Sequence, residues 1–340
     1  MQDILLSDPS PCLRALVLRD LLQRKPSDPE LKELTSLRQG DPLVADLVAL
    51  QREDGSWSSG DGAWRGAGSR IIMTSHALYR LGFMGFDSSF GPLAAGVEYL
   101  FSRQQKDGSW PLANVADSEE DDLSNSPLQT AFPLRAVANC GYSQDPRSER
   151  AYQWLLEQRL DDGAWPAGYA EGNLRGIAGY RRLAHSRWGC RSNTTAALQC
   201  LVLHPGLAKG SEASRALELL LGRETREGHT FGFEVVRLLG AEAVLGFISF
   251  FARFDLALMM DLAWRAGASR EDDRIADMIA FAESLRGPYG LWEYSSKPQC
   301  SRWITFDVTR SLSRLDDTTD WIAQEPRTPF HPYPTRRKRF

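Results

Sequence analysis

The chain predicts an all-α fold, a single closed ring of helical hairpins, and two observations carry that prediction. A short phrase is written three times, as Gln51-Arg-Glu-Asp-Gly-Ser-Trp57, Gln104-Gln-Lys-Asp-Gly-Ser-Trp110 and Gln158-Arg-Leu-Asp-Asp-Gly-Ala-Trp165. Each copy closes an apolar amphipathic run and is followed, after a Gly-rich loop, by a second helix-like run of Thr and small apolar residues. Self-similarity at about 50–60 residues means one structural unit stacked on itself. A single unit leaves an apolar face uncovered, so stacking is required, and a ring leaves no exposed end.

In chain order, a first helix spans Cys12 to Arg24 and a second Leu31 to Gln51, ending in the first copy of the phrase. The runs after the three copies hold Met73-Thr-Ser-His-Ala-Leu-Tyr-Arg-Leu81, Leu128-Gln-Thr-Ala-Phe-Pro-Leu-Arg-Ala136 and Ser192-Asn-Thr-Thr-Ala-Ala-Leu-Gln-Cys200. Degenerate copies continue the rhythm at 216–226, without the tryptophan, and at 275–286, ending in Gly287-Pro-Tyr-Gly-Leu-Trp292. Six stretches (12–24, 70–82, 127–140, 192–203, 248–266, 301–314) read as the inner layer, rich in Thr, Ala, Gly and Met. The layer bearing Glu149, Arg150, Glu157 and Arg159 at helical spacing reads as the solvated outer one. The ring occupies residues 1–324. The Pro-rich basic tail 325–340 packs on the surface or frays.

The phrase has a mechanical reading. Gly lets the backbone leave the helix, and Asp accepts nearby backbone N–H groups. Trp returns a large apolar ring to the next helix, with an N–H that needs a partner. Gln51, Gln104 and Gln158 bond free groups at the helix ends. With Trp57, Trp110 and Trp165 they are structural staples rather than catalysts.

Bulk numbers exclude some classes. The 340 residues are 42% hydrophobic with a net charge of -4, which argues against a nucleic-acid binder. Five scattered cysteines without a CxxC pair suit reduced thiols in a cytoplasm. The start lacks a signal-peptide pattern. The most apolar stretch, 244–264, carries Arg253, Asp255 and Asp261, too costly for a membrane span.

On these residues the chain resembles the squalene–hopene cyclase and protein-prenyltransferase β-subunit superfamily, whose members fold as α/α toroids (α/α6 barrels). Leu47-x3-Gln51-x3-Gly55-x-Trp57, Leu100-x3-Gln104-x3-Gly108-x-Trp110 and Trp154-x3-Gln158-x4-Gly163-x-Trp165 are similar to the cyclases' "QW" repeat. The resemblance covers most of residues 12–315. It implies a single barrel, where full triterpene cyclases have two, with chemistry at the N-terminal ends of the inner helices. It says little about which chemistry.

The cyclases' DxDDTA segment implies a protonated acid before Thr130-Ala131, but Ser126-Pro-Leu-Gln129 stands there. Just upstream lies Glu119-Glu120-Asp121-Asp122, where crowded like charges raise one pKa as a general acid needs. The plain alternative is a solvated acidic loop. Candidate acids are thus Glu120, Asp121 and Asp122, joined by Asp255 and Asp307, which sit with His76 and Asp261 in otherwise apolar inner runs. An unpaired charge there is expensive, so these residues must face partners or a wet cavity. Asp316-Asp317-Thr-Thr-Asp320 spells a DDxxD diphosphate motif, but at the opposite end of the barrel, and reads as a chance match with a helix cap.

Arg175 to Arg191 is a basic loop before an inner helix. Arg181, Arg182, His185 and Arg191 are the diphosphate-binding candidates, since guanidinium groups and free helix amides both favour an anion. The alternative is salt bridging to the acidic loop. The prenyltransferase resemblance would place Cys190 as a zinc ligand, but Trp188 stands at the Asp ligand position and Asp307 falls near the His position. Zinc is therefore not expected, no metal site is assigned, and Mg2+ is left open.

Phe231, Phe233, Phe247, Phe250, Phe251, Phe254 and Trp303 either line a terpene pocket through their π faces or pack as core. Two readings follow: a terpenoid-processing enzyme that binds a prenyl diphosphate or linear isoprenoid in the barrel, or a non-catalytic isoprenoid- or lipid-binding toroid or interaction scaffold. Protein prenylation ranks last. The run Val244-Leu-Gly-Phe-Ile-Ser-Phe-Phe251 is either a peripheral membrane contact or a buried helix start.

Overall fold

The structure is a computed structural model and describes residues 1–58, 70–111, 126–168, 183, 185–222, 229–241 and 254–315. Helices α1 (Gln2–Leu6), α2 (Pro11–Leu16) with a π turn at Val17–Leu21, α3 (Pro29–Leu37) and α4 (Pro42–Ala49) open the chain. Then come α5 (Arg70–Phe83), α6 (Gly91–Ser102), α7 (Pro127–Val137) with a π turn at Ala138–Tyr142, and α8 (Pro146–Glu157). They are followed by α9 (Arg191–Leu201), α10 (Ser211–Leu221), α11 (Phe233–Leu238), α12 (Leu256–Arg265), α13 (Asp273–Ser284) and α14 (Ser301–Arg314). A two-residue parallel pairing of β1 (His229–Thr230) with β2 (Phe254–Asp255) precedes α12.

Outer helices start on a local signal. Asp28-Pro29, Asp41-Pro42 and Asp145-Pro146 place a capping carboxylate before a proline whose missing N–H costs nothing at the first helical position. Inner helices bury nearly their whole circumference: every residue of α9 is buried, including Thr194, Thr195 and Gln199.

The tryptophan turn repeats atom for atom. The indole Nε1 of Trp57, Trp110, Trp165 and Trp292 donates at 2.7 Å to the carbonyl ten residues earlier, those of Leu47, Leu100, Leu155 and Ala282. The backbone N of each lies within hydrogen-bond distance of one inner-helix threonine: Thr74, Thr130, Thr194 and Thr305. Gln51 and Gln104 donate to the carbonyls of Gly55 and Gly108 and on to Pro92 and Arg147 in the next outer helix. The copy at Trp292, degenerate in sequence, is complete in geometry, with Arg286 donating to the Gly290 carbonyl at 3.2 Å in place of the glutamine.

Gly108 sits at φ +97°, and a Cβ there would lie 2.5 Å from the Arg150 carbonyl oxygen. Gly108→Ala is expected to destabilise by about 1–3 kcal/mol in urea unfolding. Gly91→Ala, at a helix start with nothing within 4 Å, should be neutral or stabilising. Equal effects would contradict the turn account.

The six inner helices are α2, α5, α7, α9, α12 and α14, in the order the sequence predicts. The two ends of the array meet: Asp20 lies 3.9 Å from Arg310 and 3.6 Å from Arg314, and Asp8 pairs with Arg302 at 3.3 Å. In the outer layer Arg274 of α13 binds Glu218 of α10 at 2.8 Å.

The structure adjusts the sequence reading in two places. Helix α12 begins at Leu256, inside the predicted stretch 248–266, because Asp255 caps it by accepting from Ala257 N and the preceding residue is extended in β2; residues 248–253 lie outside the described residues. The sequence reading also has no place for α11. This helix lies within the ring, buried at every residue, and is held from α5, α7 and the start of α12.

Candidate functional site

Around α11 the inner helices supply a buried ion network. Arg135 of α7 donates to Glu234 at 3.0 Å and to Gln199 of α9 at 2.9 Å, with its guanidinium 3.8 Å from the Tyr79 ring centre. Arg237 binds Glu234 at 2.8 Å and reaches His76 of α5 at 2.9 Å. Burial, then Arg237 and Arg135, push His76 well below its ordinary value, so it is neutral at pH 7. Asp255 accepts from the backbone N of Gly232 and Glu234 at 2.8 and 2.7 Å. Burial still lifts its carboxyl to about 6, against those bonds. These groups lock α11 across the middle of the lumen.

Two cavities flank the lock. One, of 230 Å3, lies toward the C-terminal ends of the inner helices, where Asp20, Asp261 and Asp307 face Arg19, Arg265, Arg310 and Arg314. Arg265 holds Asp261 at 2.9 Å, and Arg310 reaches Asp307 at 2.5 Å and Asp261 at 3.6 Å. Burial raises the Asp307 carboxyl to about 7, with Asp261 and Asp255 adding to the rise and Arg310 and Arg265 opposing it. Burial also acts on Asp261, but Arg265 and Arg310 outweigh it and hold that carboxyl low.

The Asp307 shift has a sign that can be measured. An unfolded Asp ionises near ~3.9, so between about pH 4 and 7 the folded state binds more protons and stability falls as pH rises. Relative to Asp307→Asn, the wild type should lose about 2 kcal/mol between pH 5 and 8 in urea unfolding. A pH-independent difference would mean that Asp307 titrates as an ordinary carboxyl.

The second cavity, of 840 Å3, opens at the N-terminal ends of α2 and α14 and is walled by Pro9, Pro42, Leu43, Leu239, Leu291 and Trp303. Its carboxyls are committed. Asp8 accepts from Ser10 N and pairs with Arg302, while Asp41 caps α4 and accepts from the Ser10 hydroxyl. Both carboxyls among the described residues there are engaged in hydrogen bonds or an ion pair.

The residues singled out from sequence fare differently. Glu120, Asp121, Asp122, Arg181 and Arg182 lie outside the described residues, as do Asp316, Asp317, Asp320, the run 244–251 and the tail. His185 is exposed beside Gly222, whereas Arg191 is buried at the start of α9, so these two do not form one open basic surface. Asp255 and Asp307 are buried in different settings, one a helix cap and the other a cavity wall. Trp303 lines the apolar cavity, while Phe231 stacks on Trp292 at 6.2 Å. Among the described residues no group of three His, Cys, Asp or Glu could hold a metal ion, and no helix is long and apolar enough to cross a membrane. Sequence reasoning missed Arg310, Arg314 and Glu234: the two arginines carry only the signal of charge at inner-helix spacing, and Glu234 carries none.

The repeat, the two helical layers and the meeting ends define the protein as an α/α toroid. Residues 35–179 match the family model of the squalene-hopene cyclase C-terminal domain. A 71-residue stretch is 35% identical to lanosterol synthase of Pneumocystis carinii, covering 19% of this chain and 10% of that enzyme. Among solved structures, a protein from Actinoplanes aligns over 84% of this chain and 75% of its own at 17% identity and a TM-score of 0.47. A type II terpene cyclase from Scytonema, in complex with geranylgeranyl dihydroxybenzoate, aligns over 79% and 70% at 17% identity and a TM-score of 0.49.

Proposed function

We propose that this toroid binds a linear isoprenoid or its diphosphate in the 840 Å3 apolar cavity at the N-terminal end of its inner helices. That cavity carries the reading: its size suits a small-molecule ligand, its wall is mostly apolar, and Arg302 is the one cation lining it among the described residues. Squalene-hopene cyclases, whose C-terminal domain model the chain matches, make isoprenoid handling the natural class of ligand. The chemistry proposed is binding without proton-initiated cyclisation. Asp8 and Asp41 are both engaged, and the charged cavity beyond α11 carries carboxylates that would quench a carbocation.

A second reading, an interaction scaffold, is favoured by one observation: α11 occupies the lumen that an isoprenoid would otherwise fill. Incubating the protein with prenyl diphosphates of increasing length and with squalene, with and without Mg2+, separates the two by mass spectrometry. Bound ligand without product is expected, with Leu291→Glu weakening binding at least about tenfold by placing a charge in the apolar wall. No binding of any of them would select the scaffold.

A further inference from the structure

The 230 Å3 cavity at the C-terminal ends of the inner helices plays no part in the isoprenoid reading, and its chemistry is of another kind. Four guanidinium groups line it, those of Arg19, Arg265, Arg310 and Arg314. Of the four carboxyls facing them, Glu234 is already bound from behind by Arg135 and Arg237. Four cations therefore meet the three carboxyls of Asp20, Asp261 and Asp307. Arg310 is 7% exposed, and its Nε is buried with no hydrogen-bond partner. A buried donor left unmade is costly, and the residue that carries it lines the cavity. Burial, then Arg310 and Arg265, lower the Arg314 guanidinium against the pull of Asp20, a sign of crowded positive charge.

Helix ends explain part of this. Arg19, Arg265 and Arg314 stand in last turns, where a cation offsets the partial negative charge of the terminal carbonyls. Arg310 stands one turn earlier and serves no helix end. With Asp307 protonated, the four guanidinium groups exceed the carboxylates of Asp20 and Asp261 by two charges, which a dianion matches. The volume leaves no room for a long apolar tail.

We propose that this cavity is a binding site for a small doubly charged oxyanion of the phosphate class, held by Arg310 and Arg314. The source is either a free inorganic anion or the head group of a short phosphorylated ligand. Asp307 faces the same space, packed against Arg310 on its own helix, Asp261 and Arg265 on α12, Asp255 before it, Asp20 and Arg19 on the first inner helix, and Glu234 on α11. Its proton removes a competing negative charge, so the site binds anions more tightly when Asp307 is neutral.

Calorimetric titration with sulfate, whose charge is constant over the range, and with inorganic diphosphate tests the site. Saturable binding is expected, weakening about fivefold for sulfate between pH 6 and 8, with the pH dependence lost in Asp307→Asn. Arg310→Gln and the partly exposed Arg314→Gln should each weaken binding about tenfold or more, while the remote Arg286→Gln leaves it unchanged. If Arg310→Gln does not fold, Arg314→Gln alone carries the test. Competition by geranyl diphosphate against sulfate would assign the site to a head group; its failure, with inorganic diphosphate competing, would assign it to the free anion. Absence of sulfate and diphosphate binding at millimolar concentration, or binding unaltered in Arg314→Gln, would overturn the proposal. Neither outcome bears on the apolar cavity.

Discussion

Trp110→Ala is expected to cost about 3–5 kcal/mol of folding stability, a large part of what a domain has. The ring is completely buried, so truncation leaves a cavity that rigid helices on both sides cannot close. It also removes the Nε1 bond to the Leu100 carbonyl, leaving a helix end short of a donor. Trp110→Phe keeps much of the packing and loses that bond, so it should cost less than the alanine variant but clearly more than nothing. Because the four turns share one geometry, Trp165→Ala should behave alike. Denaturant unfolding measures all three, and a loss below ~1 kcal/mol for Trp110→Ala would show that the turn does not staple the ring.

Glu234→Ala should destabilise by about 3–5 kcal/mol, because it leaves Arg135 and Arg237 buried without their shared carboxylate. The contrast is Glu30→Ala, which breaks a solvent-exposed pair with Arg14 at 3.4 Å and should cost ~0.5 kcal/mol or less. Glu234 also holds α11 in the lumen, so its loss has a local signature. Amide exchange over 233–238 should speed up more than exchange in the outer helix α6, which carries no member of the network. Uniform acceleration would mean that α11 is no separate lock but part of the common core.

The ring was legible because its rules are local and repeated. Gln, Asp, Gly and Trp each have a reason at fixed spacing, and the observed bounds of α5, α7, α9 and α14 follow the periodic runs within a few residues. Even the degenerate turn at Trp292 kept its threonine partner. The lumen was not legible. Helix α11 is six residues long, carries Glu234 and Arg237, and has no hairpin partner, so neither amphipathic period nor repeat signals it. Burial of Asp261 and Asp307 in apolar runs did point to partners. Which arginines would meet them depends on the ring closing between Asp20 and Arg310, nearly the whole chain apart. The acidic and basic loops that drew attention in sequence lie largely outside the described residues, and the cavities stand on other side chains.

The central claim is that an isoprenoid sits at the N-terminal face, outside α11, and not in the lumen. Photolabelling with a diazirine-bearing farnesyl diphosphate, followed by peptide mapping, tests it most directly. Labels are expected at 298–303 and 239–241, around Trp303 and Leu239. Labels at Tyr79, Phe132 or Gln199, on the lumen side of the inner helices beside the Arg135 network, would contradict the account.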